Sequence, residues 1–144
     1  MFERYSERAR RSIFFARREA GVFGSSTIES EHLLLGLMHD GRALLQRMAN
    51  ANLDGLRKDI EAIAPPKNAD VPTSADLPIS DPLKRVLGLA AEEAETLNHP
   101  HIDTEHLLLG LLREPTSFVS DLLRKYGIDR SKIREGFETG ERLL

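Results

Sequence analysis

One heptapeptide occurs twice in this chain: Glu31-His32-Leu33-Leu34-Leu35-Gly36-Leu37 and Glu105-His106-Leu107-Leu108-Leu109-Gly110-Leu111, identical at every position and 74 residues apart. A chain built around such a duplicate is expected to fold as two like halves. Ser30 or Thr104 precedes each copy, and either hydroxyl can accept one of the orphan backbone N–H groups at a helix start, so a helix is predicted to begin at the glutamate. Its leucines, continued by Met38 or Leu112, fall on nearly every side. A helix apolar all round belongs in an interior, and at about ten residues it is too short to cross a bilayer.

The duplication extends upstream. Ala9, Ile13, Ala16, Ala20 and Phe23 recur at 4-3-4-3 spacing and share one helical face, with Ser6 as the predicted N-cap. A shift of 74 positions turns this face into Leu83, Leu87, Ala90, Ala94 and Leu97, capped by Ser80 with Asp81 and Pro82 in the first turn. The turn-like Gly24-Ser25-Ser26-Thr27 and Asn98-His99-Pro100-His101 then lead to the matched Ile28 and Ile102. Downstream the copies drift. In the second, a short helix from Phe118 to Tyr126 should stop at Gly127, and Asp129 should cap a last helix carrying Ile133 and Phe137. The first-copy counterparts are a helix over Ala43 to Asn50, then Asn52 as cap, then Leu56 and Ile60. The register between copies has moved from 74 to 77 by this point.

Between the halves, Ala64 to Ile79 contains Pro65, Pro66, Pro72 and Pro78 and reads as an extended linker. No strand pattern occurs. The expected fold is all-α: two tandem four-helix repeats related by a pseudo-two-fold axis and joined by this proline-rich linker. The 144 residues are taken as a single domain, with repeat one at 1–63, the linker at 64–79 and repeat two at 80–140. Two units fall short of the three or more that a solenoid needs.

Composition narrows the function. No cysteine is present, which removes disulfides, thiolate metal sites and cysteine nucleophiles and fits a reducing, cytoplasmic setting. The N-terminus mixes charges where a signal peptide would need an apolar run, and no membrane-spanning segment is read. With 20 basic and 23 acidic residues the net charge is -3, so no general attraction to nucleic acid is expected. Arg4, Arg8, Arg10, Arg11, Arg17 and Arg18 alternate with Glu3, Glu7 and Glu19 and read as a solvated helix face.

No catalytic constellation emerges. None of the ten glycines starts a G-x-x-x-x-G-K-[ST] phosphate loop, and H-E-x-x-H and G-x-S-x-G are both absent. The chain is therefore expected to be no enzyme, to bind no ATP and to need no cofactor. His99, His101, Asp103 and His106 read as a polar turn leading into a helix rather than a metal site, because the spacing fits no zinc pattern and the first copy offers only His32. His32 and His106 are expected to satisfy nearby carbonyls. Glu31 and Glu105 have two open readings. Each complements a helix dipole, or each joins a hydroxyl and free helix N–H groups to hold a ligand cationic at one end and anionic at the other.

Met1-Phe2-Glu3-Arg4-Tyr5-Ser6-Glu7-Arg8-Ala9-Arg10, followed by the doubled E-H-L-L-L-G-L motif, closely resembles the N-terminal domain of the Clp ATPases, above all the ClpC type. The resemblance runs from Met1 to about Phe137. It implies a non-catalytic docking module for protein substrates and adaptors in ATP-dependent proteolysis and protein quality control, with a ClpP-type peptidase as partner only through a parent AAA+ ATPase. It also implies phosphoarginine or substrate binding at Ser30 with Glu31 and at Thr104 with Glu105. A peptide groove where the repeats meet is implied at Phe2, Tyr5 and Ile79. The glycine expected before each hydroxyl residue is replaced here by Glu29 and Asp103, and Ser30 stands for threonine. An added carboxylate about 4 Å from a phosphate repels it by about 1–4 kcal/mol, so phosphoarginine is expected to bind weakly. The alternative function is a stand-alone regulator or sensor on the same fold, binding peptides or competing for Clp partners.

Overall fold

The computed structural model describes residues 2–40, 45, 52–67 and 76–138. Among these residues the fold is all-helical: α1 (Glu7–Val22), α2 (Ser30–Asp40), α3 (Leu53–Ile63), α4 (Asp81–Thr96), α5 (Thr104–Arg113), α6 (Val119–Lys125) and α7 (Arg130–Glu138). The helix expected over 43–50 lies outside the described residues except for Leu45, which is helical and buried.

The predicted faces are the buried ones. Ala9, Ala16, Ala20 and Phe23 lie in the core with Ile13 half-buried, and Leu83, Leu87, Ala90 and Ala94 are their counterparts, with Leu97 half-buried. Ser6 accepts the Ala9 N–H at 3.1 Å and Ser80 the Leu83 N–H at 3.2 Å, so both first helices start where expected. Asn52 precedes α3 but makes no side-chain cap hydrogen bond. Asp129 accepts the Lys132 N–H at 3.0 Å, and Gly127 closes α6 at φ +75°, a conformation glycine adopts without Cβ strain.

The leucine helices are interior along their length, from Leu33 to Met38 and from Leu107 to Leu112. Their repeated glycine sets how close they lie to the preceding helix. A Cβ on Gly36 would fall 2.3 Å from the Ser12 carbonyl oxygen, and one on Gly110 would fall 2.5 Å from that of Val86. Only a residue without Cβ permits α1 to lie on α2, and α4 on α5, at this spacing. Each pair also encloses a carboxylate. Glu19 is held by His39 at 2.9 Å and by Arg57 at 3.0 and 3.2 Å. Glu93, 74 positions on, is held by Arg113 at 2.9 Å and by Arg130 at 2.8 and 3.0 Å. Burial alone would raise both carboxyl pKa values, but these partners, the arginines above all, outweigh it and hold both below the ordinary range.

The halves interlock through two isolated parallel bridges, Tyr5 with Ile102 and Ile28 with Ile79. Ser6 N–H donates to Ile102 O at 2.9 Å and Ile102 N–H to Arg4 O at 2.9 Å; Ser80 N–H donates to Ile28 O at 3.0 Å and Ile28 N–H to Pro78 O at 2.9 Å. Every residue of one set lies 74 positions from a member of the other, so the backbone ahead of each first helix pairs with the loop ahead of the other repeat's leucine helix. This exchange is the signature of a pseudo-two-fold axis. The ends of the 64–79 linker are tied to the first repeat: Lys67 N–H donates to Phe23 O at 2.8 Å, and 78–80 are pinned to Ile28, while 68–75 lie outside the described residues. Farther along, Asp59 of α3 accepts from Lys125 at 2.9 Å and from the Tyr126 hydroxyl at 2.8 Å, tying the halves a third time.

Candidate functional site

The start of each leucine helix lies one residue earlier than expected, with Ser30 and Thr104 inside the helix, and in the second repeat the cap role passes to the residue before. Asp103 is that cap in the second repeat: its Oδ1 accepts Thr104 N–H at 2.8 Å, and the Asp103 N–H donates to His106 Nδ1 at 2.8 Å. The arrangement is a capping box with histidine in the place usually taken by glutamate. In the first repeat Glu29 N–H donates to His32 Nδ1 at 2.9 Å. The histidines therefore accept from backbone N–H groups, and the expectation that they serve carbonyls is corrected. An Nδ1 that accepts must be unprotonated. Desolvation accordingly lowers the His32 pKa to about 4 against the attraction of Glu29 and Glu19.

Asp103 also accepts from the Ser6 hydroxyl at 2.9 Å and from the Arg8 guanidinium at 2.9 Å, both across the repeat boundary. Burial tends to raise its pKa, but Arg8, the Thr104 N–H and Ser6 prevail and hold it below the usual carboxylate range. Arg8 is thus no part of a purely solvated stripe. Its guanidinium also comes within 3.9 Å of Glu105, which is fully buried. Glu105 Oε1 accepts from Thr104 Oγ1 at 3.0 Å, while Oε2 is buried without a hydrogen-bond partner. Desolvation, followed by the nearby Asp103 charge, raises the Glu105 pKa.

The first repeat departs from this pattern. Glu31 is half-buried, with its pKa raised by desolvation and by Glu29. Glu29 accepts from Thr27 Oγ1 instead of reaching across to Ser80. The Ser30 hydroxyl is buried and finds no hydrogen-bond partner. Glu29 and Glu31 line a cavity of about 450 Å³ with Ser25, Thr27, His32 and Lys67. At the counterparts of Ser25 and His32, the rings of His99 and His106 close on each other, with 2.9 Å between nitrogens, and Phe137 packs on both. His101 is exposed, and no group of three or more metal-ligating side chains is assembled among the described residues.

The expected groove residues are placed unevenly. Phe2 packs edge-on against Tyr5, with ring centroids 4.9 Å apart. Tyr5 is only 6% exposed, so it can serve as a floor and not as a wall; burial pushes its phenol up to about 12. Ile79 is half-buried and lies in the other bridge, at the position equivalent to Tyr5. A second cavity, about 340 Å³ and absent from the sequence reading, lies between the repeats, lined by Asp59, Ile63, Phe118, Asp121, Leu122 and Lys125.

Two like all-helical halves, locked by exchanged lead-in segments and carrying a glutamate at each leucine-helix start, define a doubled helical repeat domain. The chain belongs to the Clp repeat N-terminal domain family, whose model matches residues 4–126 and again 80–140. It is 38% identical over 137 residues to the chloroplastic chaperone protein ClpC2 of Oryza sativa subsp. japonica, and 37% identical over 137 residues to chloroplastic ClpC1 of Arabidopsis thaliana. The match takes in 93% of this chain but only 15% and 14% of those proteins. Among solved structures, the N-terminal domain of the caseinolytic protease associated chaperone ClpD of Arabidopsis thaliana superposes with a TM-score of 0.75 at 27% identity, covering 99% of this chain and 97% of that one. The Hsp104 N-terminal domain of Candida albicans shares the fold at 18% identity and TM-score 0.72, covering 92% of this chain and 88% of that one. No helix among the described residues is long and apolar enough to cross a membrane.

Proposed function

We propose that this chain is a non-catalytic docking domain for protein substrates and adaptors, acting ahead of a ClpC-like AAA+ unfoldase in ATP-dependent proteolysis. The observation that carries this reading is the match itself: nearly the whole chain aligns with a small fraction of much longer chaperones. On that reading the chain works as one domain over 1–144, with repeats at 1–63 and 80–140 about the 64–79 linker, and meets a ClpP-type peptidase only through the parent ATPase. It takes no nucleic acid, no membrane and no cofactor. The cysteine-free composition fits a reducing, cytoplasmic setting, while the relatives ClpC2 and ClpC1 are chloroplastic proteins.

Unfolded or apolar segments would dock over Phe2 and Ile79, with Tyr5 beneath. Both side chains are half-buried apolar groups beside the crossed bridges, where segments from the two halves meet. A permanently unfolded polypeptide titrated into ¹⁵N-labelled protein should shift amide signals around Phe2 and Ile79. Shifts confined to distant helices, or none, would leave the groove without a role.

Phosphoarginine at Ser30 with Glu31 and Thr104 with Glu105 is expected to bind weakly, because Glu29 and Asp103 add negative charge at both helix starts. Asp103 is a weaker obstacle than its formal charge implies, since Arg8 neutralises it.

A further inference from the structure

α1 and α4 hold equivalent places in the two repeats, yet their outer faces are opposites. The exposed residues of α1 are Glu7, Arg10, Arg11, Phe14, Arg18 and Val22, and they fall on one stripe about 120° wide. Three arginines against one glutamate make the stripe basic, while Phe14, 56% exposed, and Val22, 67% exposed, make it apolar. The Phe14 ring is braced from behind: it meets Phe15 edge-on with centroids 5.5 Å apart, and Phe15 stacks on His39 at 4.5 Å. A shift of 74 positions carries Phe14 to Gly88, Arg18 to Glu92 and Val22 to Thr96. The surface is hollow at Gly88, where a Cβ would meet no heavy atom within 4 Å beyond its own helix backbone and chain neighbours. Glu92 and Glu95 follow within two turns, both exposed and on the same side of α4. The cations of α4 are already engaged, Lys84 lying 3.9 Å from Asp81 and Arg85 2.7 Å from Glu114. Glu92 shares Arg113 with Glu93, and Glu95 has only the distant Arg4 at 3.9 Å, so both keep carboxylate surface open to solvent.

We propose that these two faces form an interface between two copies of this chain, α1 of one lying on α4 of the other, with Phe14 over Gly88 and Arg18 against Glu92 and Glu95. In a two-fold dimer the contact is isologous, so α4 of the first copy receives α1 of the second and the contact is made twice. Glycine beneath the aromatic ring lets the two helices approach closely, and burial of the exposed ring supplies the driving force. A second copy suits the surface better than another partner does. An acidic helix would be repelled by the glutamates of α4 and a basic one by the arginines of α1, whereas a second copy satisfies both faces at once. A helix pair is small against the roughly 1,200 Å² of a stable complex, so the dimer is weak, dissociating on dilution and in salt. The inference stands apart from the docking reading and makes no use of Phe2 and Ile79.

Sedimentation equilibrium of the 144-residue chain, over a concentration series reaching the millimolar range, tests the interface. The weight-average mass should rise from one chain towards two and no further, and should fall back as salt is raised. Phe14→Ser and Gly88→Gln should each weaken association at least about tenfold; both positions are exposed, and unchanged helical circular dichroism verifies that the variants are folded. Arg18→Glu and Glu92→Arg should each weaken it too, while the two changes combined in one chain should restore it, a rescue that a general loss of stability would not give. In ¹⁵N-labelled protein, dilution should shift the amides around Phe14 and Gly88 together. If Glu92→Arg upsets its Arg113 pair and does not fold, Phe14→Ser and Gly88→Gln still decide the matter. A mass of one chain at every concentration, growth beyond two chains, association left intact by Phe14→Ser and Gly88→Gln, or a folded charge-reversed pair that fails to associate would each overturn the proposal.

Discussion

Asp103 takes hydrogen bonds from Thr104 N–H, Ser6 and Arg8, so one side chain caps a helix and joins two repeats. Asp103→Ala should therefore cost more than an ordinary cap, about 1–3 kcal/mol, measured by denaturant unfolding. The pH dependence follows from the direction of each shift. Asp103, Glu19 and Glu93 have lowered pKa values in the fold, so the unfolded chain binds more protons than the native one as the medium is acidified. Their stabilisation is complete above the unfolded values of 3.8 and 4.5 and is lost as pH falls through the lower native ones. Glu105 runs the other way. Its raised pKa means that the charged form costs stability above the native value, a cost relieved as pH falls through it. Glu105→Gln should accordingly leave the neutral-pH melting temperature unchanged or higher, with the advantage shrinking on acidification; a large loss at neutral pH would refute that sign. At this scale the sequence was least legible. Arg8 meets Asp103 across 95 positions, and no local pattern distinguishes it from the neighbouring arginines that face solvent. The helix start was misplaced by one residue because a hydroxyl is a good cap in isolation, whereas in the second repeat the acid before it, Asp103, takes the cap and Thr104 becomes the first helical residue.

The helices themselves were far more legible, since a 4-3-4-3 apolar face and a capping serine are local properties that tertiary packing reinforced. Ser6 and Ser80 hold matching caps, yet Ser6 alone also donates to Asp103. Ser80→Ala should cost about 1 kcal/mol and Ser6→Ala measurably more, with a Ser6/Asp103 double-mutant cycle showing non-additivity. Gly36→Ala and Gly110→Ala test the close helix approach. Each new methyl would meet a carbonyl oxygen of the adjoining helix, and each should destabilise by about 1–3 kcal/mol despite alanine's better helix propensity. A gain in melting temperature would mean that α1 and α4 can move away freely. The glycine was visible in the duplicated motif, but its reason lies on Ser12 and Val86 of another helix and required the packed pair. The drift in register after the leucine helices was equally plain, although the 43–50 helix to which it points lies outside the described residues apart from Leu45.

For the whole molecule, duplication did most of the predictive work: two like halves with interior leucine helices have few ways to bury both except against each other about a near two-fold axis. What it could not reveal was the exchange of lead-in segments, because hydrogen bonds between residues such as Ser6 and Ile102 leave no trace in either stretch alone. With no glycine-rich phosphate loop in the chain, calorimetry with ATP and magnesium should give no saturable heat. The most direct test of the docking account is the affinity of the isolated chain for a fluorescently labelled, permanently unfolded polypeptide, measured for the unmodified protein and for Phe2→Ser with Ile79→Ser. Saturable binding by the former, weakened at least about tenfold in the double variant while both retain the same helical circular dichroism, is the predicted result. No saturable binding, or equal binding by a double variant that remains folded, would contradict it.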